Sequence, residues 1–187
     1  MTNPALANKT APEKFFAKFS TTKGDFVVEV TRALSPNGAD RFYNMVDIGY
    51  FQNIAIFRAV PNFMFQFGVH GDPNISKHWA NATIKDDAPG KASNLPGFLT
   101  FAKTGAPNSR SAQMFVNLGN NGFLDRQGFT PFGKVVEGQE VVGKINTEYG
   151  ENAPSDQGMF VQKGNDWLLK KYPRLDIIRS VTLVELK

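Results

Sequence analysis

Apolar and polar residues alternate from Phe15 to Val30, with a polar interruption at residues 22–25. A period of two places every second side chain on the same face of an extended strand, so each half of this stretch is expected to be a half-buried β-strand. Glycine is favoured in tight turns because it tolerates positive φ angles. The pattern therefore predicts a β-hairpin with Gly24 at its turn.

A helical period replaces this alternation after Pro36. The apolar positions that recur at helical spacing are Phe42, Met45, Val46 and Tyr50. Ser35 is the expected N-cap and Pro36 the expected first helical position, where proline's missing N–H costs nothing. These signals predict a helix of about three or four turns.

Short strands separated by turn residues are predicted from Ile54 to Leu118, around a long Gly/Pro/Asn-rich excursion over residues 68–97. The remaining expected elements are strands over 97–102, 129–136 and 180–186, a short helix over 139–145, a loop over 148–164, and one or two helical turns over 165–172 that Pro173 stops. Many short strands without regular alternation of strands and helices favour an antiparallel barrel or sandwich.

The composition fits one globular domain of ordinary size. The chain has 187 residues, of which 41% are hydrophobic and 20% are charged, and it contains 17 phenylalanines and no cysteine. Residues 1–13 are small and polar and are expected to be flexible, which leaves residues 14–187 as the folded domain. The lack of cysteine excludes disulfides and thiolate catalysis.

The net charge of +4 does not indicate a nucleic-acid partner, because the basic residues are scattered rather than clustered. No apolar run is long enough to span a membrane, so no membrane association is expected. The N-terminus shows no apolar signal-peptide core. We therefore expect a cytoplasmic monomer, or a periplasmic or secreted protein if a signal peptide has been removed.

Two hydrophobic runs contain polar side chains that such strands rarely carry. Residues 57–66 read FRAVPNFMFQ and residues 111–117 read SAQMFVN. Because burying an unpaired charge is costly, Arg58, Gln66 and Gln113 indicate a surface that holds an apolar ring and hydrogen-bonds a neutral amide. A structural alternative stays open, in which Arg58 caps a barrel rim and the glutamines satisfy nearby backbone groups.

The alternation within these runs assigns their faces. Phe65 and Phe67 are expected to point inward, with Met64 and Gln66 on the outer side. The second run divides into a core face and a binding face. The core face consists of Met114, Val116 and Leu118, and the binding face of Gln113, Phe115 and Asn117.

Three longer segments are more specific than any single residue: FRAVPNFMFQFG (57–68), GFLTFAKTGAPNSRSAQMFVNL (97–118) and FLDRQGFTPFGKVVEG (123–138). They resemble the cyclophilin family of peptidyl-prolyl cis/trans isomerases, and the resemblance extends from Phe15 to Lys187. It implies a mainly β fold, a closed eight-stranded antiparallel β-barrel capped by two α-helices, with the active groove on the outer wall.

The resemblance also implies a role for each matched position. Arg58 corresponds to the family's catalytic arginine, and Gln66 and Gln113 to its polar partners in catalysis. The proline pocket and the loop that holds the substrate backbone would consist of Phe63, Met64, Ala102, Lys103, Thr104, Phe115, Phe123, Leu124 and Phe129. No cofactor and no metal are implied.

The implied reaction is rotation about X–Pro bonds in protein substrates, which assists folding and involves no covalent intermediate. The expected partners are proline-containing peptides and unfolded or flexible client proteins. Rotation requires no nucleophile or redox group, since its barrier of about 18–20 kcal/mol comes from lost amide resonance.

Two positions depart from the common family pattern. Phe123 stands where many members carry tryptophan, a residue associated with tight cyclosporin binding, and Phe129 stands where many carry histidine. One extra residue lies between Leu124 and Phe132. Both changes keep an apolar wall, so the resemblance implies retained activity but weak cyclosporin binding. Residues 148–173 are longer than in compact members, and the sequence assigns them no role.

Other interpretations of the sequence are weaker. His70 and His78, with Asp72 and Asp86, could be imagined as metal ligands, but loop histidines eight residues apart without further ligands more often face solvent. One rival function is a non-catalytic module or chaperone that binds proline peptides in the same groove. Another is a barrel that carries a small ligand in its interior, which the many inward phenylalanines disfavour.

Overall fold

A computed structural model of the protein describes residues 1–186. Its strands are β1 (Lys14–Thr21), β2 (Gly24–Thr31), β3 (Ile54–Ala55), β4 (Arg58–Val60), β5 (Met64–Phe67), β6 (Phe98–Phe101), β7 (Met114–Asn117), β8 (Pro131–Glu137) and β9 (Ile177–Val184). Its α-helices are α1 (Pro36–Asp47), α2 (Pro73–Ala80), α3 (Gln139–Val142), α4 (Asn152–Ser155) and α5 (Gln157–Lys171). Short 3-10 helices span Pro4–Leu6, Arg32–Leu34 and Gly122–Gln127.

The hairpin that the alternation predicts is confirmed. Strands β1 and β2 pair antiparallel from Lys14 opposite Thr31 to Thr21 opposite Gly24. Gly24 has a φ angle of 123°, a conformation that residues with a side chain rarely adopt. The hairpin places Phe19 against Phe26, with ring centroids 4.6 Å apart, at the start of the core.

The sheet corrects the expectation of a closed eight-stranded barrel. Nine strands form one open, strongly curled sheet in the order β3-β9-β1-β2-β8-β6-β7-β5-β4. The two edge strands, β3 and β4, are separated along the chain only by Ile56 and Phe57. Because β3 pairs with β9 and β4 pairs with β5, the chain itself joins the two edges where a barrel would use hydrogen bonds.

The concave side of the sheet is filled with aromatic rings. These fully buried rings include Phe19, Phe26, Phe42, Phe51, Phe65, Phe67, Phe101 and Phe132. Neighbouring ring centroids lie 4.6–6.4 Å apart, and most pairs adopt the tilted or edge-to-face arrangements that aromatic pairs prefer. The inward direction expected for Phe65 and Phe67 is confirmed. An interior packed with rings does not favour the small-ligand barrel.

Helix α1 begins at Pro36 as expected, but Ser35 does not cap it with its side chain. The Ser35 hydroxyl instead donates to the Asp87 carboxylate at 2.5 Å. That carboxylate accepts the backbone N–H groups of Asn37 and Gly38 at 2.9 and 3.0 Å. Asp87 therefore caps α1 from a distant loop, and the negative charge suits the positive end of the helix dipole.

Asp87 also pairs with a buried arginine. The Arg110 side chain is 1% exposed, and its Nη1 lies 3.0 Å from Asp87 Oδ2. Burial raises the pKa of Asp87, but hydrogen bonds from Ser35, Asn37 and Gly38 and the Arg110 charge outweigh it and lower this pKa below its ordinary value. Asp87 therefore attaches the segment 68–97 both to α1 and to Arg110, which precedes β7.

The structure contains more helix than the two α-helices expected. Helix α2 lies inside the excursion over 68–97, where Asp72 caps its N-terminus by accepting from the Asn74 N–H at 2.8 Å. Helices α4 and α5 occupy most of the stretch that was expected to be a loop. Tertiary packing explains this difference, because Ala153, Phe160 and Leu168 are buried in one apolar cluster.

Helix α5 is broken in its middle. Gly164 has φ 71° and ψ −167°, a conformation that is essentially restricted to glycine. The break lets Asn165 N donate to the Gly71 carbonyl at 3.0 Å. Asn165 Nδ2 reaches the Asn53 carbonyl at 2.6 Å. The second half of α5 therefore contacts the body of the protein through Asn165, and the first half does so through the buried Phe160.

The N-terminal segment contacts α1 and α2. The Lys9 N–H donates to Asn44 Oδ1 and the Ala11 N–H to Asp40 Oδ1, both at 2.9 Å. The Trp79 indole donates to the Met1 carbonyl at 2.8 Å. The flexibility expected for residues 1–13 stays a prediction beside these contacts. Within residues 1–186, no helix combines the length and apolar character needed to cross a bilayer.

Replacing Asp87 with asparagine is expected to lower the free energy of unfolding by about 3 kcal/mol at pH 7, because Arg110 loses its buried counter-charge. A lowered carboxyl pKa stabilises the fold only above the unfolded-state pKa of about 3.9, and this contribution is lost as the pH falls through the folded-state value. The unfolding free energies of Asp87→Asn and wild type in urea should therefore converge as the pH falls below the lowered folded-state pKa of Asp87.

Asp86→Asn is the matched control for this change. Asp86 lies 3.5 Å from Arg110 Nε but is 34% exposed, so its loss should cost clearly less than the loss of Asp87. Equal unfolding free energies for Asp87→Asn and wild type at pH 7 would contradict the anchoring role given to Asp87.

Gly164→Ala is expected to destabilise the protein by at least about 2 kcal/mol in thermal or urea unfolding, because alanine is strained at this backbone conformation. Its Cβ would also collide with the Gly71 carbonyl and approach the Pro73 ring to 2.9 Å. Gly158→Ala, in the same helix and with open space around its Cβ, should be neutral or stabilising. Similar losses in both variants would argue against the strained break.

Candidate active site

The pairing of three strands positions the polar side chains of the groove. On β4 and β5, Arg58 lies directly opposite Gln66, and on β5 and β7, Gln66 lies opposite Phe115. Directly opposed residues share a face of the sheet. Because Phe65 and Phe67 point into the core, Met64 and Gln66 lie on the outer face, as the alternation predicted.

Arg58, Gln66 and Gln113 form a hydrogen-bonded row on this face. Arg58 Nη1 donates to Gln66 Oε1 at 3.1 Å. Gln66 Nε2 in turn donates to Gln113 Oε1 at 2.8 Å. Each glutamine amide therefore has a defined orientation, and within residues 1–186 the Gln113 NH₂ has no hydrogen-bond acceptor.

The Arg58 guanidinium has a second partner that the sequence did not predict. Glu151, at the N-terminal end of α4, accepts from Arg58 Nε at 2.9 and 3.0 Å and from Nη2 at 2.6 Å. The Arg58 side chain is 28% exposed and that of Glu151 is 60% exposed. An acidic residue in a stretch expected to be a loop carried no signal that would have linked it to Arg58.

An apolar pocket lies beside this row. Met64, Phe115 and Leu124 are buried in one cluster, against which Val60, Phe63, Ala102 and Phe129 pack. Phe115 and Phe129 meet edge to face with ring centroids 5.9 Å apart. Six of the positions that the resemblance implied thus come together on the outer face: Phe63, Met64, Ala102, Phe115, Leu124 and Phe129. Val60, which was not among the expected residues, packs with them.

Phe123 lies at the rim of the pocket rather than in its wall. It is 56% exposed, and its ring stacks against Phe63 with centroids 6.2 Å apart. The Arg58 guanidinium carbon lies 5.8 Å from the centroid of the same Phe63 ring. Phe63 is therefore the contact between the cationic and the aromatic parts of the site.

The segment from Ala102 to Thr104 borders the groove beside Gln113 and Phe129. The Ala102 N–H donates to the Gln113 carbonyl at 3.0 Å, which extends the pairing of β6 and β7. Lys103 Nζ lies 5.4 Å above the Phe129 ring. The Thr104 hydroxyl accepts from the Ala106 N–H at 3.2 Å, so the loop is held by its own turn.

A buried amide network supports the helical turn that carries Phe123 and Leu124. Asn121 Nδ2 donates to the Phe63 carbonyl and to Asn117 Oδ1, both at 2.7 Å. Asn117, expected on the binding face, is fully buried beneath it. Asn117 lay within the quoted segment 97–118 and Asn121 lay outside the quoted segments, and no periodicity distinguished supporting residues from contacting ones.

A cavity of about 360 Å³ adjoins the groove past Gln113. Its lining is largely neutral and polar: Tyr50, Gln66, Gly68, Val69, Ser76, Ala80, Ala102, Lys103, Thr104, Ser109, Ser111, Ala112, Gln113, Gln157 and Val161. Gln157 and Val161 belong to α5, so the segment that sequence reasoning left without a role forms one wall of this cavity.

The residues weighed as metal ligands have other partners. His70 is 7% exposed and accepts the Asp72 N–H at 3.0 Å. Burial lowers the pKa of His70, and Asp72 only partly opposes this effect. His78 contacts the Asn74 carbonyl at 2.6 Å, and Asp86 pairs with Arg110. Within residues 1–186, no three His, Asp or Glu side chains are grouped to hold a metal ion.

The chain that forms this groove matches a known protein family. A family model described as cyclophilin type peptidyl-prolyl cis-trans isomerase matches residues 16–165, well over half of the chain. The chain belongs to the cyclophilin family. The match includes Glu151 and ends inside α5, and it identifies the protein as a cyclophilin-type peptidyl-prolyl cis-trans isomerase.

Two bacterial peptidyl-prolyl cis-trans isomerases resemble the chain over most of their length. A peptidyl-prolyl cis-trans isomerase of Acinetobacter baylyi is 32% identical over 145 residues, which cover 75% of this chain and 73% of that protein. Peptidyl-prolyl cis-trans isomerase B of Escherichia coli is 30% identical over 175 residues, which cover 89% and 98%.

A solved cyclophilin shares the fold at lower identity. The structure of a Cryptosporidium parvum cyclophilin type isomerase has a TM-score of 0.67 and 17% identity, covering 93% of this chain and 99% of that chain. The same protein solved in the presence of the dipeptide Ala-Pro has a TM-score of 0.66, 18% identity, and coverage of 91% and 99%. The expected mainly β, cyclophilin-like fold is thus confirmed.

Proposed function

We propose that Arg58 is the catalytic arginine of this isomerase and that the pocket formed by Met64, Phe115 and Leu124 holds the proline ring. The observation that carries the proposal is the position of the guanidinium. It is hydrogen-bonded to Gln66 and lies 5.8 Å from the ring of Phe63, which borders that pocket. A proline seated in the pocket would place its amide bond beside the Arg58 N–H groups.

The chemistry of rotation requires a donor in this place. Twisting an X–Pro amide removes the resonance that keeps it planar, a barrier of about 18–20 kcal/mol. As the bond twists, the prolyl nitrogen becomes pyramidal and recovers a lone pair that accepts a hydrogen bond. A donor near that nitrogen binds the transition state more tightly than the planar ground state, and only such a difference accelerates the reaction.

The neighbouring residues have supporting roles in this proposal. Gln66 orients Arg58 by accepting from Nη1, and Gln113 presents its amide to the substrate backbone. The apolar walls hold the proline ring still while the preceding carbonyl swings. The segment from Ala102 to Thr104 borders the peptide upstream of proline. No covalent intermediate forms, since no bond is broken.

The proposed substrates are proline-containing peptides and flexible or unfolded proteins. The solved relative crystallised in the presence of Ala-Pro supports this class of substrate. Apart from Lys103, the residues that line the cavity past Gln113 are uncharged, and the cavity gives room for uncharged residues that precede the proline. Assistance in protein folding follows from the reaction itself, because slow X–Pro isomerisation limits the folding of many chains.

A non-catalytic proline-binding module using the same groove is the rival function. It would need the apolar pocket but not the oriented guanidinium. The hydrogen bonds that Gln66 and Glu151 make to Arg58 favour catalysis, because a module that only binds proline gains nothing from fixing an arginine at that rim.

Arg58→Ala is expected to lower kcat/KM by about 100- to 1,000-fold in a protease-coupled assay on an Ala-Pro-Phe peptide, the loss typical for one transition-state donor. Arg58→Lys should recover only a small part of this loss, because lysine lacks the planar fork. Arg174→Ala is the control, since Arg174 makes a similar paired contact with Glu148 in an exposed place.

Two outcomes would contradict the catalytic assignment. A wild-type protein that leaves the spontaneous rate unchanged would favour the binding module. An Arg58→Ala variant as fast as wild type would show that the pocket acts without this arginine.

Wild-type protein is expected to bind cyclosporin weakly, because Phe123 lacks the indole N–H donor that tryptophan would supply at the rim. Phe123→Trp should increase the affinity by about tenfold in a calorimetric titration, a gain equivalent to one hydrogen bond of about 1.4 kcal/mol. Phe123→Leu, which keeps an apolar side chain without a donor, should not increase the affinity for cyclosporin. Tight binding by the wild type would show this inference from Phe123 to be wrong.

A further inference from the structure

We infer that Glu151 is a positioning residue for Arg58, a role that rests on the proposed catalytic function of this arginine. Glu151 binds the edge of the guanidinium formed by Nε and Nη2, whereas Gln66 binds Nη1. Contacts on two edges fix the plane of the group as well as its position. One contact with Gln66 would leave it free to rotate about that hydrogen bond.

The two contacts still leave donors for a substrate. A guanidinium carries five N–H groups, and the contacts with Glu151 and Gln66 engage three of them. The remaining N–H groups belong to Nη1 and Nη2. The guanidinium carbon lies 5.8 Å from the centroid of Phe63, which packs against the proline pocket, so these N–H groups are close enough to serve a proline bound there.

The backbone on both sides of Glu151 is held in place. Gly150 forms a β-bridge with Ala59, the neighbour of Arg58 on the edge strand β4. Beyond Glu151, the Asn152 carbonyl accepts the Tyr172 hydroxyl at 3.1 Å, and Ala153 is fully buried. The carboxylate therefore approaches Arg58 from an anchored segment, so it can impose an orientation on the guanidinium.

The value of this contact lies in catalysis rather than in folding. Ion pairs between exposed groups contribute little to stability, and Glu151 is 60% exposed. The orientation of the guanidinium affects the rate instead, because its N–H donor must point at a lone pair that exists only in the twisted amide. A small error in the direction of a catalytic group lowers the rate even when the substrate binds normally.

The chain contains a matched control for this contact. Glu148, three residues before Glu151, accepts from Arg174 Nε at 2.9 Å and from Nη2 at 2.5 Å. Both pairs join a glutamate of the same segment to an arginine through the same two nitrogens. The Glu148 pair borders a different depression, lined by Thr22, Lys23 and Asp176 among others.

The first test compares the kinetics of Glu151→Gln and Glu148→Gln on an uncharged proline peptide. Glu151→Gln should lower kcat about fivefold, equivalent to roughly 1 kcal/mol, with KM within about twofold of wild type. Glu148→Gln should leave both constants unchanged. Glu151→Asp, which keeps the charge on a stem one methylene shorter, should give an intermediate kcat. Thermal unfolding of each variant verifies that it is folded.

The second test is spectroscopic and does not depend on turnover. The Arg58 Nε–Hε resonance, assigned by its loss in Arg58→Lys, should be sharp and protected from solvent exchange in the wild type. It should broaden or vanish in Glu151→Gln and persist in Glu148→Gln. A resonance that stays unchanged in Glu151→Gln would show that Glu151 does not hold the guanidinium.

The outcomes separate this inference from the proposed function. A kcat in Glu151→Gln equal to or above that of wild type overturns the positioning role, and an increase would mean that Glu151 restrains Arg58 from its substrate. If Arg58→Ala is as active as wild type, the catalytic assignment itself fails, while the resonance still reports whether the Glu151 contact exists.

Discussion

The register of β5 between β4 and β7 is the constraint on which the rest of the site depends. It sets Gln66 opposite Arg58 on one side and opposite Phe115 on the other. The same register turns Phe65 and Phe67 into the aromatic core. A slip of one residue would exchange the two faces, burying Gln66 and exposing a phenylalanine. The core and the groove are therefore specified together, and the dense packing of the rings protects the geometry of the polar row.

Separate parts of the chain complete the groove around this register. The helical turn of residues 122–127 supplies the aromatic rim and is held by buried asparagines, whereas the segment around α4 supplies a carboxylate to the guanidinium. The buried Asp87–Arg110 pair joins the long excursion to α1, and Arg110 lies only three residues before Gln113. The site thus depends on contacts between elements that are far apart in sequence, each of which fixes one side chain or one wall.

Residue patterns predicted much of this arrangement, and the failures have physical reasons. Alternation gave the faces of β5 and β7, and the family motif gave Arg58, Gln66, Gln113 and the pocket. Ser35 was assigned as a cap because local spacing cannot reveal that Asp87 arrives from a distant loop. The sequence pattern did not predict α4 and α5, because Pro154, Gly158 and Gly164 have low helix propensity. These helices are stabilised by burial instead. Glu151 was missed because a contact across 93 residues leaves no local pattern.

The order of the strands has a consequence for synthesis of the protein. Strand β9, the last of the nine along the chain, lies between β3 and β1, which are both made much earlier. A chain that emerges from the ribosome N-terminus first therefore carries two unpaired strand edges until residues 177–184 have emerged. Unpaired edges invite association with other chains, and pairings between distant segments form slowly. This isomerase thus completes its own sheet only after nearly all of the described chain has been made.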